Sequence, residues 1–247
     1  MRVGVYVDGY NLYYSGRRWF GRGMPGWRWL SPRALTATVV GQRRNWTQAR
    51  VDRVVYCTAR VDASDDPAAY IDQDVYLKAL AGANAVDHIE FGRYVARAKQ
   101  VPLPEQSSRG RPRLVRPLGP LPSTGLPLTL GHDRQGVGIV LATALVREEK
   151  GSDVNVAAHL LLDVLSGVVD AAVLISNDSD LGLPLTIARE HVPVGVVNPS
   201  PGRMAGALQG VARQGVGRHW WRQLQPSDFT QHQLPSPAAG FRRPPGW

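Results

Sequence analysis

The run at 171–181, AAVLISNDSDL, constrains this chain more than any other stretch. Its apolar start, with Val173, Leu174 and Ile175 in succession, is too short for a typical helix and fits a strand covered on both faces. Ser176, Asn177, Asp178, Ser179 and Asp180 break it at once. Doubly covered strands belong to parallel sheets with helices on either side, and there ligands bind beyond the carboxyl ends of the strands. Asp178 and Asp180 arrive at such an end. Capping of the next helix would explain one of them and is a weaker account of both. The N-terminal MRVGVYVDGYN repeats the pattern: Val3, Val5 and Val7 form a strand, and Asp8 stands at its tip ahead of Gly9 and Asn11.

The intervening chain alternates in the same manner. Ser31 followed by Pro32 opens a helix to about Gly41, and Asp65 and Asp66 before Pro67 open another to about Gly82. Apolar runs at 51–58, 84–92, 137–146 and 192–198 supply further strands, so the expected fold is α/β, a parallel sheet flanked by helices. Between 97 and 131 proline, arginine, serine and glycine dominate; such a segment buries little and is expected to be a mobile basic insertion or extended arm. The domain is therefore placed at 1–200 with that insertion. A C-terminal extension at 201–247 is expected to hold a short helix, an edge strand near 219–224 and a proline-rich end that is partly irregular.

Lys and Arg number 29 against 20 Asp and Glu, a net charge of +9, which favours a polyanionic partner through counterion release. Two stretches fit it. In RRWFGRGMPGWRWL, Arg17, Arg18 and Trp19 lead a mixture of cations and indoles that binds phosphates and stacks bases, while Trp29 reads as a packing anchor. In the insertion, Arg109, Arg111, Arg113 and Arg116 are spaced to follow a phosphate backbone. The single cysteine, Cys57, excludes an internal disulfide and a cysteine zinc site and fits the cytoplasm. No leader is expected ahead of Val3, and the most apolar long window, 160–175, carries Asp163 and Asp170, so no membrane span is expected.

A further acid joins the set. Gly151 and Ser152 start a helix on which Asp153 shares a face with Ala157, Leu161 and Val164, and a carboxylate entering a core is costly unless paired, hydrogen-bonded or metal-bound. The topology would bring Asp8, Asp153, Asp178 and Asp180 to one sheet edge. Two carboxylates about 4 Å apart repel by about 4 kcal/mol at an effective dielectric near 20, so the group invites a cation. All-oxygen ligation points to Mg²⁺ or Mn²⁺, and such an ion beside a basic surface to phosphodiester hydrolysis.

The motifs VDGYN, EEKGSDVNVA and ISNDSDL, in that order over 3–199, resemble the NYN domain of the PIN-like nuclease superfamily. The resemblance implies a Rossmann-like PIN-type fold and a metal-dependent endoribonuclease acting on single-stranded or structured RNA, with a homo-oligomer left open. It makes Asp8, Asp153, Asp178 and Asp180 the acidic, metal-binding centre and gives Asn11 the role of orienting the metal-bound acid or contacting substrate. Glu149 and Lys150 fall in the second motif. The alternative is a catalytically silent RNA-binding regulatory protein of the same fold. An aspartyl phosphatase would need a second acid where Tyr10 stands, and a dinucleotide-binding oxidoreductase would need G-x-G-x-x-G where the chain reads DGYNLYY.

Overall fold

The computed structural model describes residues 1–105, 112–121 and 125–247. Strand β1 (Arg2–Asp8) leads into α1 (Gly9–Phe20), then α2 (Pro32–Gly41), β2 (Arg50–Ala59), α3 (Pro67–Gly82) and β3 (His88–Pro102). After β4 (Leu128–His132) and β5 (Gly138–Lys150) come α4 (Ser152–Leu165), β6 (Ala171–Ile175), a 3₁₀ turn (Ser179–Leu181) and α5 (Gly182–His191). The chain ends through β7 (Val194–Asn198), α6 (Gly206–Gln209), β8 (Trp220–Gln223) and α7 (Pro226–Gln231). The start signals act as read: the Ser31 hydroxyl caps α2 and the Asp66 carboxylate caps α3, each followed by proline. No helix is long and apolar enough to cross a membrane among the described residues.

The eight strands form one mixed sheet in the order β4-β5-β3-β2-β1-β6-β7-β8. Six of them, β3-β2-β1-β6-β7-β8, run parallel through every ladder from β3 to β8. β4 and β5 are antiparallel, which corrects the expectation of a wholly parallel sheet. A short return through Asp133, whose carboxylate accepts the Gln135 and Val137 N–H groups, joins them as a hairpin, and a hairpin permits only the antiparallel sense.

The chain divides into two compact units, 1–94 with 149–247, and 95–148. The larger carries a core on each face of its sheet. On one face Val3, Val5, Val7, Val173 and Ile175 pack with Leu35, Leu80 and Trp29. On the other Tyr6, Val55, Cys57, Leu174 and Val196 pack with Val156, Leu160 and Leu185. The smaller unit, 95–148, has order of its own. Ile139 and Val140 are buried there, and the Leu103, Val115 and Val140 backbones are hydrogen-bonded in succession. Paired backbone, rather than side-chain burial, orders a segment this polar.

The C-terminal extension is also more ordered than its composition suggests. Phe229, Leu234 and Ala238 are buried, and the Leu234 N–H donates to the Trp29 carbonyl at 2.8 Å. The Trp29 indole N–H donates to the Pro235 carbonyl at 2.9 Å, and that of Trp247 to Asp72 at 3.1 Å. Proline removes donors but leaves carbonyls, and indoles supply what those carbonyls need.

One glycine is dictated by close approach. Gly195 of β7 pairs with Trp220 of β8, and an added Cβ would fall inside the indole ring, which Trp46 and the Arg43 guanidinium hold from other sides. Gly195→Ala should therefore lower stability by about 1–3 kcal/mol, read as a fall in denaturation midpoint with an unchanged m-value.

Candidate functional site

The order of the parallel strands reverses direction between β1 and β6, whose register pairs Val7 with Ile175. β1 ends on Asp8 and β6 on Ile175, and Asp8 and Ser176 meet in the crevice that such a reversal opens. Asp8 is 4 % exposed. One of its oxygens accepts the Asn11 N–H at 2.9 Å, capping α1, and the other accepts the Ser176 hydroxyl at 2.9 Å. Ser176 Oγ in turn accepts the Asp178 N–H at 3.1 Å, and Asn11 Oδ1 accepts the Asn177 N–H at 3.1 Å. Asn177 fixes the following chain through the Ala205 N–H and the Arg203 carbonyl. One polar network thus ties the tips of the two central strands.

Burial raises the Asp8 pKa to about 6, against the lowering effect of the bonds from Asn11 and Ser176 and with the charges of Asp178 and Glu149 adding to the rise. An acid so placed changes protonation state near neutral pH, as a proton-transferring group must. Its carboxylate accepts only two of the roughly four hydrogen bonds open to it, so acceptor capacity is left for a ligand.

The other predicted acids lie at different places. Asp178 is half-buried, caps the 3₁₀ turn and accepts the Asp180 N–H, while Asp180 itself is exposed. Asp153 is half-buried on the first turn of α4 and lies beside, rather than on, the buried stripe Ser152, Val156, Leu160, Asp163. Of the expected stripe Ala157, Leu161 and Val164, Val164 is buried and the other two are half-buried, and the acid that enters the core is Asp163, bonded to Tyr6 and Arg53. Glu149, not Asp153, starts α4: its Oε1 accepts the Ser152 N–H at 3.1 Å and hydroxyl at 2.6 Å. Among the described residues, the three-membered group of His, Cys, Asp or Glu whose ligand atoms lie within 4.8 Å of one another is His88, Glu90 and His159, and none of the four aspartates belongs to it.

An aromatic wall that the sequence reading missed borders the crevice. Tyr10, Tyr13 and Tyr14 project from α1, each 37–40 % exposed, with ring centroids 4.5 Å apart for Tyr10 and Tyr14 and 5.3 Å for Tyr13 and Tyr14. Burial raises the Tyr94 pKa, and the charges of Tyr14, Tyr10 and Glu149 add to the rise. Exposed tyrosine faces beside a buried acid suit a flat ring bearing a polar substituent. The signal was present in YNLYY, where the α-helical turn sets Tyr10 and Tyr14 on one face.

The residues read as RNA contacts that the structure describes fall in both units. Trp19 is half-buried with its indole N–H on the Pro199 carbonyl at 2.9 Å, Arg17 lies near the Tyr14 ring and Arg18 is exposed. Trp27 and Trp29 are buried in the core, which removes them as stacking platforms. The Arg113 carbonyl accepts the Glu105 N–H, Arg116 is exposed in the same unit, and Arg109 and Arg111 lie outside the described residues.

No protein-family model matches the chain. Among curated proteins it is similar to 6-hydroxy-3-succinoylpyridine 3-monooxygenase HspA of Pseudomonas putida, with 27 % identity over 270 aligned positions that span 100 % of this chain and 75 % of the relative. Among solved structures it aligns with a protein of unknown function from Vibrio parahaemolyticus at a TM-score of 0.43 and 14 % identity, over 92 % of this chain and 94 % of that one. The likeness to a monooxygenase overturns the expectation of a metal-dependent endoribonuclease. A monooxygenase is an oxidoreductase, so the hydrolase assignment and the Mg²⁺ or Mn²⁺ of phosphodiester hydrolysis give way together. In the structure Asp8 and Asp178 serve as caps and hydrogen-bond acceptors at the two strand tips.

Proposed function

We propose that the chain is an oxidoreductase of the monooxygenase class acting on a hydroxylated nitrogen-containing aromatic ring, carried on a Rossmann-like α/β scaffold of the NYN type. The observation that carries this reading is the similarity, over the whole chain, to a 6-hydroxy-3-succinoylpyridine 3-monooxygenase. The strand order with its reversal between β1 and β6 supports the scaffold. The tyrosine wall and Asp8 support the substrate class.

Monooxygenation consumes dioxygen, two electrons and two protons; one oxygen atom enters the substrate and the other leaves as water. The chain's own contribution is to hold the ring and manage its proton. Tyr10 and Tyr14 receive the ring face, and Asp8, mostly ionised at neutral pH, accepts the proton of a ring hydroxyl. The resulting oxyanion raises electron density at the carbon para to it, which is the relation of positions 6 and 3 in the relative's substrate. Ser176 and the Asn11 N–H steady the carboxylate in both protonation states.

A dinucleotide cofactor would place its pyrophosphate at the turn after β1. That turn does not fit one: it presents the Asp8 carboxylate, and an added Cβ at Gly9 would strike the Tyr56 ring, so the glycine serves packing. No step is assigned to such a group. The test is incubation of the protein with 6-hydroxypyridines substituted at position 3, a chemical or enzymatic two-electron donor and ¹⁸O₂. The expected result is one ¹⁸O atom in the product by mass spectrometry. Product without label, or label arriving from H₂¹⁸O instead, overturns the assignment.

A further inference from the structure

His88 and Glu90 lie two residues apart on β3, so both side chains leave the same face of the sheet. Their register partners on β2 are Val55 and Cys57, which belong to the core beneath α4, and His159 comes down from α4 onto that face. His88 Nε2 stands 3.0 Å from Glu90 Oε2, and His159 Nε2 stands 3.3 Å from the same oxygen. The imidazole centroids are 5.0 Å apart, tilted by 53°. Three donors of two types therefore converge on one point. Nitrogen and oxygen ligands lie roughly 2.1 Å from a first-row divalent ion, which separates neighbouring ligands by about 3.0 Å at a right angle and about 3.4 Å at the tetrahedral angle. Both histidine–carboxylate spacings fall in that interval, and all three ligand atoms lie within 4.8 Å of one another.

From this geometry we infer that His88, Glu90 and His159 form a binding site for one divalent transition-metal ion of the iron class. Two imidazoles and one carboxylate are the facial ligand set of non-haem iron that reacts with dioxygen, a chemistry that needs coordination positions left open. The side chains are 42 %, 39 % and 19 % exposed, so solvent reaches the outer side of the triad. Glu90 also aligns in register with Cys57 and, through it, with Asp8. At about 4.8 Å per strand, the metal triad and the proton-accepting acid stand roughly 10 Å apart on one sheet face. That the ion activates dioxygen for the ring held at the tyrosine wall rests on the oxygenase reading; that it binds does not. His159 Nδ1 is buried without a hydrogen-bond partner among the described residues, and an unsupported imidazole binds roughly 10–100-fold more weakly than a supported one. The site is accordingly an exchangeable one, emptied by chelators.

The experiment uses the full chain, stripped with EDTA and titrated without oxygen with Fe²⁺, and in parallel with Co²⁺ as an absorbing probe. Wild type is expected to take up one equivalent with a rise in melting temperature. Glu90→Gln and His159→Ala should each weaken uptake by roughly 10–100-fold or more while melting as wild type does in EDTA. His88→Ala, at the most exposed position, repeats the test should either fail to fold. Asp178→Asn should bind as wild type. Absence of saturable uptake, uptake unchanged in the triad variants, or uptake lost in Asp178→Asn overturns the site. Metal held at the triad without ¹⁸O incorporation leaves the site standing and removes the oxygenase reading. Equal incorporation by wild type and Glu90→Gln removes the triad from the reaction alone.

Discussion

Replacing Asp8 by asparagine should abolish most oxygenation and, at neutral pH, make the protein more stable. General-base catalysis contributes about 10²–10⁴-fold, so a loss of that order in kcat/KM is expected, with the wild-type rate rising as pH passes through about 6. The stability effect has the opposite sign for a physical reason. Burial lifts the folded pKa from 3.8 to about 6. The folded state therefore holds its proton more tightly than the unfolded chain, and the stability this confers is full below pH 3.8 and lost as pH rises through about 6. By pH 7 the ionised carboxylate costs roughly 3 kcal/mol relative to the protonated one. Asparagine avoids that cost and gives up some hydrogen-bond strength to Asn11 and Ser176, so a net gain of about 1–2 kcal/mol is expected. Melting curves of both proteins from pH 4 to 8 should diverge upward with pH, the variant ahead at neutrality. A variant that melts lower than wild type at pH 7, or that turns over normally, would remove Asp8 from the proposed role.

The elements were legible where one physical signal dominated. β1 and β6 announce themselves as apolar runs cut off by polar turn residues, and Ser31-Pro32 and Asp66-Pro67 mark helix starts because cap and proline act within a single turn. The meeting of Asp8 with the 176–178 turn follows from strand adjacency and was readable too. The phase of α4 was not: Asp163 looks like a polar interruption, while its bonds to Tyr6 and Arg53 make it a core residue. Nor was the His88, Glu90, His159 convergence, since His159 is 69 positions from Glu90 and only the packing of α4 on the sheet joins them. The missing G-x-G-x-x-G excludes a dinucleotide cradle at the first turn; it does not exclude redox chemistry carried out elsewhere on the sheet. The tail misled through composition, because indole donors to proline carbonyls are long-range pairings.

Asp163→Ala should be among the most destabilising single changes in the larger unit. Asp163 is 4 % exposed, and its Oδ2 accepts both the Tyr6 hydroxyl at 3.0 Å and Arg53 Nε at 2.7 Å. Those partners come from β1 and β2, so the carboxylate ties α4 to two adjacent strands. Burial first, and then the neighbouring Asp163, raise the Tyr6 pKa, which keeps the phenol protonated as a donor. Truncation would leave the Arg53 charge and the Tyr6 hydroxyl facing a cavity without an acceptor. Arg53 is a third exposed, so water recovers part of its loss, and the change costs about 1–3 kcal/mol; in a chain of this size each kcal/mol moves the midpoint by roughly 2–4 °C. Because the penalty lies in the stranded partners, the combination Asp163→Leu, Arg53→Met and Tyr6→Phe should recover most of it. Asp163→Ala and the triple variant are compared by urea titration at pH 7. A cost below about 1 kcal/mol for the single change, or a triple variant no better than the single one, would show that α4 is held to the sheet by its apolar stripe alone.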